Sequence, residues 1–153
     1  MITGHLCLVL AVLTSTPFGL SLQPARSPVE EATAFFRRFV DLEQAYDTRV
    51  ADLYADDAVI RNKRHYPTGE VRDLILPAPK YKALIRQAMP LAKSRGDRST
   101  YSQCTYEPHD SRVRITCARY SELKKFTSPY TLVIGPDRSG AWQIWEELSE
   151  SRP

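Results

Sequence analysis

The sequence predicts an α+β domain, with N-terminal helices packed on one face of a curved, mostly antiparallel sheet. Residues 28–46 carry apolar side chains at helical spacing, whereas residues 99–148 have the pattern of strands separated by turns. The chain has 153 residues, of which 42% are hydrophobic and 25% charged, as is ordinary for a single globular domain. Helices followed by a run of antiparallel strands bury their apolar surfaces against each other in this fold class.

The first 21 residues have the pattern of a secretory signal peptide. No Lys, Arg, Asp or Glu precedes Arg26. The apolar run at residues 6–13 has the length of a signal-peptide core and is too short to span a bilayer, which takes about 20 residues. Small residues at Gly19 and Ser21 predict cleavage after Ser21, although a buried N-terminal helix or strand is the alternative. We therefore expect an exported protein, periplasmic or secreted, with no membrane attachment once the signal is removed.

After a linker at residues 22–27, the domain is predicted to span residues 28–148, with a tail at 149–153. Ser27 can cap the first helix, Pro28 suits its first position, and Glu30 completes a capping box. A short second helix is predicted from Arg49 to Tyr54.

A strand and a third helix follow. The strand is predicted from Asp57 to Tyr66, with a turn at residues 67–70. The helix is predicted from Pro79 to Ser94, kinked at Pro90 and stopped at Gly96. Its predicted apolar face consists of Tyr81, Leu84, Ile85, Ala88 and Met89.

Four strands are predicted in the last third of the chain. They are Ser99–Tyr106, Arg112–Leu123, Thr127–Ile134 and Ala141–Leu148. A turn centred between Asp110 and Ser111 places Cys104 directly opposite Cys117. Cross-strand Cα separations of about 4.5–5.5 Å lie within disulfide reach. An even cysteine count in an exported domain then predicts a Cys104–Cys117 disulfide, with two unpaired buried thiols as the alternative.

The order of these elements resembles the nuclear transport factor 2-like superfamily. The most specific stretch is residues 39–60, in which Leu53–Ile60 is similar to the family's helix-to-strand junction. The strand Trp142–Glu146 is also typical. The resemblance covers about residues 28–148 and implies a cone-shaped pocket between the helices and the curved sheet. The fold hosts ketosteroid isomerases and polyketide cyclases as well as non-catalytic binders, so it does not specify an activity.

The catalytic groups of a ketosteroid isomerase are not matched. That enzyme needs a carboxylate base and an oxyanion-binding tyrosine, and the corresponding positions are Asn62 and Phe39. We therefore predict no catalytic residue of that type. A cofactor-independent isomerase, cyclase or dehydratase that uses other residues of the same pocket stays an alternative.

The composition does not favour metal or nucleic-acid binding. Only the histidines His65 and His109 follow the predicted signal peptide, and neither belongs to a metal-ligand motif. The sequence therefore predicts no metal and no cofactor. A net charge of +3 and a pI of 8.8 are weaker than a dedicated nucleic-acid binder requires.

Polar residues at the end of the first strand predict a ligand-binding rim. Every second side chain of a strand shares a face. If Ile60 faces the pocket, Asn62 and Arg64 follow it toward the rim, where guanidinium groups recognise anions. A solvated strand end is the alternative. The predicted pocket residues are Tyr46, Asn62, Arg64, Tyr66, Arg119 (or its neighbour Tyr120), Tyr130 and Glu146. These observations favour an exported non-catalytic domain that binds a small ligand or a protein partner through its pocket or sheet face.

The last strand predicts a surface for association. Trp142 and Ile144 share one face, and Trp145 lies on the other. A large apolar side chain on both faces predicts a homodimer or partner interface through Trp145. Cover by the C-terminal tail or by the stems of Arg112 and Arg114 is the alternative.

Overall fold

The structure, a computed structural model, describes residues 26–152. The predicted signal peptide lies outside these residues. The helices are α1 (Pro28–Gln44), a 3-10 helix (Thr48–Leu53) and α2 (Ala78–Arg95). The strands are β1 (Tyr54–His65), β2 (Val71–Pro77), β3 (Ser99–His109), β4 (Arg112–Ser121), β5 (Phe126–Pro136) and β6 (Trp142–Ser151). The predicted α+β class is confirmed.

Helix α1 begins at the predicted capping box. The Glu30 amide donates to Ser27 Oγ at 3.3 Å, and the Ser27 amide donates to the Glu30 carboxylate at 2.7 Å. Both bonds satisfy amides that have no partner within the helix. The buried side of α1 consists of Ala32, Phe35, Phe36 and Phe39.

The region after β1 differs from the prediction. Residues 71–77 form a strand that the sequence pattern did not indicate, because its apolar run at residues 74–76 is short and does not alternate with polar residues. Helix α2 runs through Pro90 and ends at Gly96, which adopts the left-handed conformation with φ 63°. Its predicted apolar face was too wide, since Leu84 is 41% exposed and Ala88 is exposed as well.

The six strands form one curved sheet that does not close, in the order β2-β1-β6-β5-β4-β3. The β1–β6 pair is parallel and every other pair is antiparallel. The helices cover the concave face, where the apolar core lies. In residues 26–152 no helix is long and apolar enough to cross a membrane.

The β3–β4 hairpin carries the predicted disulfide. Cys104 and Cys117 are bonded, with Cα atoms 4.2 Å apart. The hairpin register, His109 opposite Arg112, is the one that the turn predicted. Beyond the cysteines the register shifts at a bulge, where Gln103 has a positive φ of 53°.

Candidate functional site

The concave face of the sheet changes from apolar to polar along β1. Side chains alternate between the two faces of a strand, and Ile60 is fully buried whereas Val59 is 41% exposed. Ile60, Asn62 and Arg64 therefore face the cone, as predicted. Their partners on β6, from the closed end outward, are Glu147, Ser149 and Ser151.

A buried polar network fills the closed end. Glu147 is 1% exposed and accepts hydrogen bonds from the hydroxyls of Tyr54 and Tyr81, the latter at 2.9 Å. Burial raises the pKa of both tyrosines well above the usual range, and the Glu147 charge acts in the same direction. Both hydroxyls therefore stay protonated donors that hold the Glu147 carboxylate.

A second carboxyl lies nearer the opening. Glu43, at the end of α1, accepts a hydrogen bond of 2.8 Å from the Tyr101 hydroxyl on β3. Burial raises the pKa of Glu43 from 4.5 to about 7, while the bond from Tyr101 and the charge of Arg119 oppose the rise. Glu43 is thus a carboxyl that changes its protonation state near neutral pH.

A cavity of about 270 Å³ opens beside Glu43. We call it the mouth cavity. Its apolar wall is formed by Tyr46, Met89, Ala92 and Phe126. Its charged groups are Glu43, Asp97, Arg119, Lys124 and Arg152. Three cations and two carboxyls, one with a pKa near 7, give this cavity a positive character.

Arg119 is the most enclosed of these cations. Its Nη2 donates to the Glu150 carbonyl at 2.9 Å, and its guanidinium lies 5.4 Å from the centre of the Tyr130 ring. The Nε atom is buried and has no hydrogen-bond partner. No carboxylate of residues 26–152 lies within 4.0 Å of the guanidinium.

The structure brings some of the predicted pocket residues together. Tyr46 and Arg119 line the mouth cavity, the latter instead of its neighbour Tyr120. Asn62 donates to Ser149 Oγ at 3.0 Å, and its carbonyl accepts from the Ser151 hydroxyl at 2.7 Å. The amide of Asn62 is therefore engaged by neighbouring side chains.

Two other predicted residues lie apart from the mouth cavity. Tyr130 is 3% exposed and packs in the aromatic core, with its ring centre 5.3 Å from that of Tyr101. Tyr66 lies past the end of β1 and lines a separate hollow with Lys124 and Arg152.

The prediction that Glu146 faces the pocket was wrong. Val133 pairs with Glu146 and Ile134 with Ile144, which leaves Trp145 as the extra residue of a β-bulge. Beyond a bulge the alternation of faces is displaced by one residue. Glu147 consequently points into the cone, and Glu146 lies on the convex face.

Trp145 packs within its own chain. Its indole Nε1 donates to the Gly135 carbonyl at 3.0 Å, and the Arg112 guanidinium lies 3.9 Å from its ring centre. One side of the Trp145 ring is thus covered by Arg112, which is one of the two arginines named in the alternative to an interface. Association through Trp145, in a homodimer or with another protein, stays a prediction.

The convex face also carries a groove. Ile75 and Leu148, which are 70% and 42% exposed, lie on either side of Arg61. The groove measures about 580 Å³ and is larger than the mouth cavity. We give the mouth cavity more weight, because the Glu43 carboxyl with its raised pKa and the enclosed Arg119 guanidinium both line it.

Sequence reasoning missed Glu43, Tyr81, Tyr101 and Glu147 as polar groups of the cone. Tyr81 was predicted only as part of an apolar helix face. An acidic residue at the end of the apolar face of α1 was the available signal for Glu43. The bulge at Trp145 hid Glu147, because strict alternation selects Glu146.

Comparison with known proteins supports the fold. No protein-family model matches the chain, and no curated protein matches it in sequence. A solved NTF2-like protein of unknown function from Pseudomonas putida is 14% identical, with a TM-score of 0.59 over 78% of this chain and 83% of that one. A ketosteroid isomerase-like protein from Parabacteroides distasonis is 13% identical, with a TM-score of 0.54 over 79% and 86%. A further NTF2-like protein, from Novosphingobium aromaticivorans, is 12% identical, with a TM-score of 0.51 over 78% and 79%. At these identities the likeness shows the fold alone.

Proposed function

Because this chain has the nuclear transport factor 2-like fold, we propose that it is an exported, non-catalytic domain that binds a small ligand in its mouth cavity. The observation that carries the proposal is the difference between the two ends of the cone. The closed end is filled by the Tyr54–Tyr81–Glu147 network, whereas the open end keeps a cavity with apolar and charged walls.

The size of the cavity limits the ligand. Small-molecule sites commonly measure about 300–1,000 Å³, and about 270 Å³ lies just below that range. The ligand is therefore small. Its contacts are apolar on the α2 side, at Met89 and Ala92, and charged on the β4 side, at Arg119.

The state of Asn62 supports a binding role. An amide cannot accept the proton that an isomerase base must take. In addition, Asn62 is held by Ser149 and Ser151. Export is supported by the Cys104–Cys117 disulfide, since disulfides persist mainly in oxidising compartments.

A second candidate function rests on Glu43. A carboxyl with a pKa of about 7 that lines a cavity has the properties of a general acid or base at neutral pH. This group favours the alternative of a cofactor-independent isomerase, cyclase or dehydratase. Turnover that disappears in Glu43→Gln would establish that alternative.

Filling the mouth cavity tests the proposed function. Ala92 is half-buried on the cavity wall, whereas Ala88 is exposed one turn earlier on α2. We expect ligand-observed NMR with a library of small fragments to find binders of the wild type. Ala92→Trp should abolish their binding, because the indole occupies the cavity, and Ala88→Trp should retain it. Fragments that bind equally well to both variants would place the ligand site elsewhere, for example in the convex groove.

A further inference from the structure

Three buried side-chain atoms of residues 26–152 have no hydrogen-bond partner. They are Arg64 Nε, Arg119 Nε and Ser128 Oγ. Most buried polar groups in proteins are hydrogen-bonded, and an unpaired one destabilises the fold. If the three atoms lie close together, one bound group can be the hydrogen-bond partner of all of them.

The sheet register places the three residues in one row. Arg119 pairs with Ser128 across β4 and β5, and Arg64 pairs with Ser151 across β1 and β6. Tyr130 pairs with Ser149, so the same register two residues further brings Ser128 opposite Ser151. Arg64, Ser151, Ser128 and Arg119 thus follow one another across four neighbouring strands. We call this set the arginine row.

The arginine row faces the cone. Arg64 shares its face with the buried Ile60, and Ser128, which is 3% exposed, shares its face with the buried Tyr130. Ser151 and Arg119 both line the mouth cavity. Arg64 and Ser128 are not in its lining, but they lie next to Ser151 and Arg119 on the same face of the sheet.

The row carries two guanidinium groups and no carboxylate of its own, and the charges of Glu147 and Glu43 act on Arg119 from outside the row. Neither Arg64 nor Arg119 has a carboxylate within 4.0 Å among the described residues. The Glu150 carboxylate, on the neighbouring strand, is bound to His65 at 2.7 Å. Burial removes hydration from a guanidinium group, so an anion in direct contact with Arg64 and Arg119 is favourable.

The unpartnered groups share one chemistry. Both Nε atoms are donors only, and a serine hydroxyl can donate as well. The acceptor that matches several converging donors and two guanidinium groups is an oxyanion. Met89 and Phe126 on the cavity wall supply apolar contact for the rest of such a ligand.

We propose that the mouth cavity binds a small organic acid, whose carboxylate is held by Arg119 with Ser128 and Arg64 of the arginine row and whose apolar body lies against Met89 and Phe126. This inference rests on the proposed function and specifies its ligand class.

The test compares benzoate with benzamide, which has nearly the same shape and no charge. We expect calorimetric titration of wild type to show saturable benzoate binding at least tenfold tighter than benzamide binding. Arg119→Gln should weaken benzoate binding by about 10- to 100-fold, the effect of one hydrogen bond to a charged group. Ser128→Ala should weaken it by about 2- to 10-fold. Arg61→Gln, which removes an exposed arginine from the convex side of β1, should leave it unchanged.

Further variants keep the result interpretable. Thermal unfolding and near-ultraviolet circular dichroism check that each variant is folded. If Arg119→Gln does not fold, Arg119→Lys keeps the charge without the planar fork, and its affinity should lie clearly below that of wild type. Inorganic phosphate, an oxyanion without an apolar body, should bind more weakly than benzoate.

Equal affinity for benzoate and benzamide, or benzoate binding that is unchanged in Arg119→Gln, overturns the inference. If Ala92→Trp still abolishes the binding of neutral fragments in that case, the proposed function stands while the ligand class is wrong. Absence of benzoate binding to wild type also overturns the inference, and the fragment comparison of Ala92→Trp with Ala88→Trp then decides the proposed function separately.

Discussion

Glu43 shows how one side chain couples the helix to the sheet. It ends the apolar face of α1, yet its carboxyl meets Tyr101 on β3, with Arg119 on β4, Glu147 on β6 and Asp97 before β3 as its charged neighbours. Burial disfavours the ionised carboxylate, and its pKa therefore rises to about 7.

This pKa predicts how stability changes with pH. The folded chain keeps the Glu43 proton up to a pH of about 7, whereas the unfolded chain releases it near 4.5. Between these values the folded state binds more protons, so this group lowers the free energy of unfolding as pH rises. At 1.36 kcal/mol per pKa unit, the loss reaches about 3 kcal/mol at pH 8.

Glu43→Gln should remove this dependence, because its amide accepts the Tyr101 bond and does not ionise. We expect equal stabilities near pH 4 and a variant more stable by about 2–3 kcal/mol at pH 8 in urea unfolding. Asp41→Asn, which changes an exposed carboxyl on the same helix, should keep the wild-type profile. A Glu43→Gln profile parallel to that of wild type would contradict the assignment.

At the scale of elements, the β3–β4 hairpin forms one side of the cone and contributes Tyr101 and Arg119. The disulfide crosses it next to the bulge at Gln103 and closes a loop over a sequence separation of 13 residues. Closing a loop of about 15 residues stabilises a fold by about 3 kcal/mol, chiefly by restricting the unfolded chain.

Replacing both cysteines by alanine should lower the free energy of unfolding by about 2–3 kcal/mol in urea titrations. Reduced wild type is the matched comparison, because it keeps the buried Cys117 side chain while opening the loop. Two thiols that react with an alkylating reagent in unreduced, folded protein would show that the bridge is absent.

At the scale of the whole molecule, the export proposal predicts where the chain is recovered and at which residue it begins. We expect wild type expressed with its own leader in a bacterial host to be recovered from the periplasm or medium with a mass that begins at Leu22. Ser21→Leu, which places a large residue at the predicted −1 position, should retain residues 1–21. Full-length wild type confined to the cytoplasm would contradict the export proposal.

The sequence by itself determined the elements whose signals are local. The capping box at Ser27–Glu30 defined the start of α1, and Gly96 defined the end of α2, because each depends on a few neighbouring residues. The turn at Asp110–Ser111 was enough to pair Cys104 with Cys117, since a hairpin turn sets the register of both strands. Alternation along β1 correctly placed Asn62 and Arg64 on the concave face.

Only the tertiary structure decided which polar groups meet inside the cone. The bulge at Trp145 exchanges Glu146 for Glu147, and a bulge arises from the pairing of strands that lie side by side. Edge strand β2 was missed because a run of three apolar residues, at 74–76, is too short to identify a strand by its period. The arginine row joins residues 64, 119, 128 and 151, which are distant in the chain. Their adjacency follows from the β1–β6 pairing and the β5 register, which are long-range contacts that local patterns do not encode.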